Sequence, residues 1–488
     1  MKYLDKINNP KDLKKIPVGE LAEVCGELRK YIIDTINQIG GHLAPTLGTI
    51  ELTTAIHYVF DAPKDKIVWD TGHQAYAHKV LTGRFSEFPT IRKYKGLSGF
   101  LKRSESEYDI FGAGHASTSI SAALGIASAR NLNDDDYKVV SIIGDGALSG
   151  GLAFEALNNA GNVRKQLLVI VNDNDMSISP NLGAFRNYLV KIATNKKYNQ
   201  IRKWVYRSIK RFPSKFFVNI LRKTEASAKK FFFPTTIFED LGFRYFGPID
   251  GHNIEELIDV LEKIKDLDKP VVLHTITKKG KGLDYAEDDP VKFHGVKEKK
   301  DTSKKKSSIP IYQNAFGEIV CDLAENNESI VTITAAMKEG TGLVDFSKKF
   351  PDRFFDVGIA EGHAVTFSGG LSVNNKIPIV AIYSTFLQRA FDHIIHDISL
   401  QKLPVIFCLD RSGLVGEDGA THHGVLDISY LRCIQNIIVS APKDGNELRD
   451  LIFTATKNKN TPFTIRYPKE ECINFDNQDA KIIEIGSW

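Results

Sequence analysis

The stretch Ile142–Ser177, IIGDGALSGGLAFEALNNAGNVRKQLLVIVNDNDMS, decides how the rest of the chain is read. A short apolar run (Val139, Val140, Ile142, Ile143) stops at Gly144-Asp145-Gly146. A helical segment, Gly151 to Gly161, follows, and a second apolar run, Leu167 to Val171, ends in Asn172-Asp173-Asn174. Strand, turn, helix and strand in this order predict two parallel neighbours. Asp145 and Asn174 then fall at the carboxyl ends of adjacent strands, where open α/β sheets bind ligands. A carboxylate, an amide oxygen and a nearby main-chain carbonyl form a hard oxygen donor set. That set suits Mg²⁺, whose remaining positions go to water and phosphate oxygens. The glycines beside Asp145 let a diphosphate approach the backbone. GDG alone fits a plain strand-to-helix turn equally well. Asn174 lying 29 positions after Asp145, with an α/β alternation between, favours the metal site.

Working outward, 488 residues imply two or three domains. The hydrophobic content of 42% and charged content of 25% are those of an ordinary globular protein. A net charge of +4 is too small to argue for nucleic acid. The five cysteines are scattered, with neither a CxxC pair nor a His-Cys cluster. That excludes a disulfide framework and a zinc site and fits a reducing compartment. The first residues, MKYLDKINNPKDLKKIP, lack a signal-peptide core, and no 18-residue apolar run occurs. The expectation is a cytoplasmic protein that does not enter membranes.

Upstream, Leu21, Val24, Cys25, Leu28, Ile32, Thr35 and Ile36 recur at helical spacing within residues 18–39. Gly40-Gly41 ends this helix and His42 follows, either facing a ligand or capping the helix. A strand, Ile67–Asp70, leads into a loop with His73 and His78, which either meet a ligand or satisfy buried carbonyls. Gly112–Ser117 is a small-residue loop before an apolar helix, a place that favours an anion. It lacks the third glycine and the acidic partner of a dinucleotide site. Residues 186–230 hold 14 Lys or Arg against one acid, Glu225, with interleaved aromatics. This segment fits a basic cover over an anionic-cofactor site, or less well a nucleic-acid or membrane surface.

Downstream, Pro248–His252 reads as a structural turn, and Val271–Thr275 as a buried strand leading into Lys278-Lys279-Gly280-Lys281-Gly282. Without a Gly-Lys-Ser/Thr ending this is not a P-loop. His294 follows, and residues 297–308 (KEKKDTSKKKSS) form the best linker in the chain. A second α/β unit spans about 311–473, with strands predicted at 329–335, 353–358, 377–383, 404–410, 436–441 and 462–467. Most of these end in polar clusters, including Glu361-Gly362-His363, Ser384–Arg389, Arg411, Glu417–Gly424 and Lys469. Any one would be a solvated loop; their joint placement after strands argues for a site.

Taken together, GGHLAP, WDTGHQAYAHK, GAGHAST, GDGALSGG, NDNDMSIS, PIDGHN, TKKGKG, DPVKFHG, FPDRFFDVGIAEGHA, AIYSTFLQRAFDH, DRSGLVGEDGATHHG and IRYPK resemble the 1-deoxy-D-xylulose-5-phosphate synthases, transketolase-like thiamine-diphosphate enzymes. The resemblance runs over about residues 1–475. It implies two tandem thiamine-diphosphate-binding α/β domains, each a mostly parallel sheet flanked by helices. The first would span 1–305, with a basic insertion at about 186–235, and would hold diphosphate and Mg²⁺. The second would span 310–475 and bind the aminopyrimidine ring. Residues 476–488 would be the stub of a third, C-terminal domain that the family ordinarily has. A homodimer is expected, without nucleic acid or membrane as partner.

The activity so implied joins pyruvate to glyceraldehyde 3-phosphate with loss of carbon dioxide, giving 1-deoxyxylulose 5-phosphate. Glu361 matches the carboxylic acid that shifts the aminopyrimidine to its imino form; an acidic residue in the first turn of a helix fits it equally. Asp145, Asn174 and the Met176 carbonyl match Mg²⁺ ligands. His73, Gly114, His115, Ala116, Gly146, Ala147, Asn174, Lys279 and Phe386 match cofactor contacts. His42, His294 and His422 match histidines around the reacting centre, where imidazoles move protons near neutral pH. Tyr383, Arg411 and Lys469, with Asp418 nearby, match the pocket for the acceptor's phosphate.

Departures from the family are Gly362 in place of the usual glutamine, with a small effect expected, and Leu283 in place of a frequent tyrosine, with Tyr285 two places on. Lys469 stands in place of arginine, with Glu470 next to it. A second expectation is a remnant that binds the cofactor but turns over poorly. A third, from another class, is a nucleic-acid or membrane-surface protein using the 186–230 segment.

Overall fold

The computed structural model describes residues 1–174, 184–194, 236–298, 309–476 and 478–487. Met176 and most of the basic segment lie outside them, as does most of the expected linker.

Two parallel sheets carry the chain. The first is built from β1 (Lys66–Trp69), β2 (Val139–Gly144), β3 (Leu168–Asp173), β4 (Arg244–Asp250) and β5 (Val271–Ile276), in the spatial order β1-β2-β3-β5-β4. The parallel pairing expected around the GDG turn is β2 against β3, with Ile142 opposite Ile170. Alternate residues of these strands enter two different cores. Val140, Ile142, Leu168 and Ile170 face one, while Val139, Ile143, Val169 and Val171 face the other. A strand buried on both faces has no polar side to show, which is why both read as unbroken apolar runs.

Helices α1 (Leu21–Ile39), α2 (Ile50–Val59), α3 (Ser119–Leu132), α4 (Gly151–Val163) and α5 (Ile254–Ile264) accompany this sheet. The seven periodic residues named for the first helix are all buried in α1. It stops at Gly40, whose φ of +80° an L side chain would adopt only with strain. Pro248–Asp250, read from sequence as a turn, belongs to β4 instead. β4 is the edge strand and its register shifts between Phe246 and Ile249, the places where a strand tolerates proline. His252, just beyond, bonds Glu51 at 3.0 Å and accepts from the Lys278 N–H at 2.8 Å.

The second sheet contains β6 (Ile330–Thr334), β7 (Phe354–Asp356), β8 (Ile377–Tyr383), β9 (Ile406–Asp410), β10 (Ile438–Ser440) and β11 (Phe463–Arg466). Its order is β10-β11-β9-β8-β6-β7, all parallel. Each predicted strand of this unit is present, 377–383 with the same limits and the others within shorter ones. Ile379, Ala381, Ile406 and Cys408 face one core, and Val380, Ile382, Phe407 and Leu409 the other. Helices α6 (Tyr312–Glu325), α7 (Glu361–Val373) and α8 (Gly445–Lys457) accompany it, with short helical turns running through 384–399. Among the described residues no helix is long and apolar enough to cross a membrane.

Candidate active site

The carboxyl ends of both sheets supply the site. After β2, Asp145 opens a one-turn helix, Asp145–Leu148, and its Oδ1 accepts the Gly146 N–H at 3.0 Å. After β3, the Asn174 N–H donates to the other Asp145 oxygen at 3.3 Å. The two expected metal ligands in the described chain are therefore neighbours. Burial raises the Asp145 pKa well above the carboxylate range, and the charge of Asp173 adds to this. Lys279, beyond β5, opposes that shift on Asp145, while burial lowers its own ammonium to about 8. Asp173 is held from behind by His274 at 2.8 Å, whose other nitrogen meets the Tyr245 hydroxyl at 2.7 Å.

The Asn174 Oδ1 is buried and has no hydrogen-bond partner among the described residues. The same is true of Nδ1 in His73 and in His294. Buried polar atoms are ordinarily satisfied. A cation at Asn174 and Asp145 and a polar ligand along the imidazoles would satisfy them, so the residues present fit a metal–diphosphate group.

His42, His73 and His294, distant in sequence, converge. Ring centroids are 6.1 Å apart for His42 and His73, 5.8 Å for His42 and His294, and 5.5 Å for His73 and His294. A two-residue antiparallel bridge, Gly41–His42 with Gly295–Val296, brings the outer two together. Burial holds His73 and His294 well below the usual imidazole pKa and lowers His42 to about 4. His42 meets the Tyr76 hydroxyl at 3.3 Å through Nδ1. His78 is not in this cluster. It joins His57 at 2.9 Å and Asp109 at 3.2 Å in a buried network.

Asp109 also takes two hydrogen bonds from Arg84, both 2.9 Å, and one from the Lys102 N–H at 3.1 Å. Burial raises its pKa, but His78 and Arg84 prevail and hold the carboxyl far below its ordinary value. Its stabilisation is thus complete above the unfolded carboxylate pKa and lost as pH falls through the depressed one. Asp109→Ala leaves buried Arg84 with Glu105, at 3.0 Å, as its remaining carboxylate and takes the carboxylate from His78, and is expected to cost ~3 kcal/mol. Urea unfolding at neutral pH checks this.

The other half of the site comes from the second sheet. Glu361 is the first residue of α7 and is 4% exposed. Burial raises its pKa, with Arg389 at 3.7 Å acting against it. Arg389 also donates to the Ala116 carbonyl, tying α7 to the small-residue loop of the first half. His115 meets the Thr421 carbonyl at 2.8 Å and the Thr385 hydroxyl at 3.1 Å. A Cβ added to Gly114 would lie 2.7 Å from that of Thr421, so glycine there lets the halves close. Gly114, His115 and Ala116, expected at the cofactor, thus also form the seam. Ser117 continues it, its hydroxyl donating to the Ala147 carbonyl at 2.6 Å, next to Gly146 and Asp145.

His422 stacks on Phe100 at 4.7 Å and meets Phe386 edge-on at 5.5 Å; burial lowers its pKa to about 4. Phe100 also stands 5.4 Å from His42, joining the first histidine group to His422. Tyr383 stacks on Phe386 at 5.6 Å and lies under the Arg411 guanidinium at 3.9 Å. Asp418 pairs with Arg92 at 2.9 Å. Burial pushes Asp418 upward, but the neighbouring His42 imidazole and the Arg92 guanidinium bring it below its usual value. Lys469 has Glu417 at 3.8 Å, so the carboxylate found beside it is Glu417. Leu283 packs against the first core, and Tyr285 meets Phe293 at a tilt, 4.7 Å between centroids, while 44% exposed.

This cleft, with an acid on a helix of one parallel sheet and an oxygen cluster at the end of another, defines the transketolase-like class of transferase. The family model described as 1-deoxy-D-xylulose-5-phosphate synthase matches residues 4–277, and that described as transketolase, pyrimidine binding domain, matches 310–473. A 1-deoxy-D-xylulose-5-phosphate synthase of Thermomicrobium roseum is 52% identical over 96% of this chain and 74% of its own length. Those of Carboxydothermus hydrogenoformans and Aquifex aeolicus are each 51% identical over 99% of this chain and 78% of theirs. The chain belongs to the 1-deoxy-D-xylulose-5-phosphate synthase family. With its pyrimidine-binding region, that makes it a transferase using thiamine diphosphate and a divalent metal ion.

Proposed function

We propose that the chain condenses pyruvate with D-glyceraldehyde 3-phosphate, releasing carbon dioxide and forming 1-deoxy-D-xylulose 5-phosphate. The observation that supports this most is the connection of Glu361, through Arg389, Ala116, Ser117 and Ala147, to the Asp145–Asn174 cluster. The two halves of a thiamine-diphosphate site thus share one cleft within one chain. Thiamine diphosphate, when bound, would supply the carbanion chemistry that the protein's own groups cannot. Asp145 and Asn174, with the Met176 carbonyl, would hold Mg²⁺, and Lys279 and His73 would hold the diphosphate. Gly114, His115, Ala116, Gly146, Ala147 and Phe386 would line the cofactor.

Glu361 holds a proton at its buried carboxyl and offers it to the aminopyrimidine ring. His42, His294 and His422, kept neutral by burial, accept and return protons at the reacting carbons. Tyr383, Arg411 and Lys469 would receive the acceptor's phosphate, with Asp418 holding Arg92 beside them. The proposal includes division of the chain at the 297–308 stretch, into units of 1–305 and 310–475 followed by a short 476–488 end. The two separate sheets support it. It also includes a homodimer, supported by exposed Leu414, Val425, Leu426 and Ile428 near the cleft.

The test is formation of 1-deoxyxylulose 5-phosphate by the purified chain with Mg²⁺, thiamine diphosphate, pyruvate and glyceraldehyde 3-phosphate. Product from the parent and not from Glu361→Ala supports the reading; a parent that binds cofactor and makes no product overturns it. Lys469 adds a graded check. An ammonium meets phosphate as a point charge, whereas arginine offers a two-pronged fork. Lys469→Arg is expected to lower the KM for glyceraldehyde 3-phosphate about fivefold, equivalent to ~1 kcal/mol. An unchanged KM would remove Lys469 from the phosphate pocket.

A further inference from the structure

We propose that His393 is a positioning residue for Glu361, acting through a ring-on-backbone contact that a side chain at position 362 would displace. This rests on the role given to Glu361 above. The helical run 384–399 lies along α7 and presents residues four apart to it. Arg389 reaches Glu361 at 3.7 Å, and Asp397 accepts the Thr366 hydroxyl. Between them a Cβ built at Gly362 would stand 2.9 Å from His393 Cε1, 3.0 Å from Nε2 and 3.4 Å from Nδ1. Near-equal distances to three ring atoms mean that the imidazole lies over the first turn of α7. Two turns further along α7, a Cβ at Gly369 would stand 2.9 Å from the Ile398 methyl. The seam therefore closes on two glycines, with a polar contact before and after the first.

His393 Nδ1 is buried without a hydrogen-bond partner among the described residues. A ring that leaves a buried nitrogen unsatisfied gains its place by packing. What it packs on is the peptide next to Glu361. That carboxyl's direction is set by the pitch of the first helical turn, with one ion pair to assist. Side chains at a reacting centre tolerate little displacement; a shift of ~1 Å can cost about 10²-fold in rate. A glutamine at 362, the residue the resemblance leads one to expect there, would push this ring off the peptide, so 362 and 393 act as one unit. The departure noted at Gly362 is then not a small loss but half of a matched pair.

The experiment compares Gly362→Gln, His393→Ala and the double variant in the full chain. It reads kcat, the pyruvate KM, thiamine-diphosphate affinity by intrinsic fluorescence, and Tm. Gly362→Gln alone is expected to lower kcat about tenfold or more with the pyruvate KM changed less than ~2-fold. His393→Ala alone takes the ring off the Glu361 peptide and is expected to lower kcat by a similar factor, and the double variant is expected to lose no more than about threefold beyond either single, because both substitutions break one contact. A kcat unmoved by His393→Ala, or losses that multiply in the double variant, overturns the proposal. If glutamine prevents folding, Gly362→Ala makes the same comparison with a smaller intrusion and the same criteria. If the parent makes no product, the function falls separately, because non-additivity of the two substitutions is still read in cofactor affinity.

Discussion

Glu361→Ala is expected to reduce product formation by ~10²–10⁴-fold, the usual worth of a positioned proton donor. The cofactor should remain bound, because Asp145, Asn174 and Lys279 are untouched. The size of the effect follows from the environment. Glu361 is almost fully buried, and burial favours its protonated form. Arg389 at 3.7 Å opposes this without a tight ion pair, so the carboxyl can both hold a proton and release it. Glu361→Gln is the stricter variant: it keeps volume and hydrogen bonding and removes only proton exchange. It should fall as far as alanine, with thiamine-diphosphate affinity changed less than ~10-fold. A glutamine variant retaining a tenth of the parental kcat would show that another group supplies the proton.

Some of this was readable in the chain because the chemistry sits where periodicity changes. Asp145, Asn174, Lys279 and Arg411 each follow a strand whose both faces are buried, and such strands announce themselves as apolar runs, whereas Glu361 follows the partly buried edge strand β7. β4 escapes because Gly247-Pro248 reads as a turn, and its edge position with a register shift is what lets proline stay in that strand. Arg92, Phe100 and Arg389 were not singled out as site residues for a different reason. They gain their roles from the opposite half: Arg92 from Asp418, Phe100 from His422, and Arg389 from Ala116. Contacts made by closing two units have no local pattern. Arg389 alone carried a trace, its place in a polar cluster after a strand. His78 shows the converse, since beside His73 in sequence it faces away into the Asp109 network. Two histidines five residues apart in one loop carried no signal of which would face the cleft.

Asp145→Asn is expected to abolish metal-dependent cofactor binding while leaving the cofactor-free protein at least as stable as the parent. The two effects have one origin. Asp145 is buried beside Asp173, and both burial and that neighbour penalise its negative charge. Asparagine keeps the shape and the oxygen that accepts the Gly146 N–H, and it removes the repulsion at the cost of the longer 3.3 Å bond from the Asn174 N–H. The Tm without metal should therefore hold or rise, as at sites where function is maintained against stability. A divalent cation reverses the balance. It needs that charge, and the neutral Asn174 amide is the other expected donor in the described chain. Losing a direct ligand should weaken Mg²⁺-supported thiamine-diphosphate binding by on the order of 100-fold or more, beyond what second-sphere changes cost. Fluorescence titration with cofactor at fixed Mg²⁺, with and without chelator, separates the outcomes. The parent should lose affinity on chelation and the variant should not, having little metal-dependent affinity to lose. A variant whose binding still responds to chelator, or whose metal-free Tm drops, would move the cation away from Asp145. The buried Asn174 oxygen would then need a different partner.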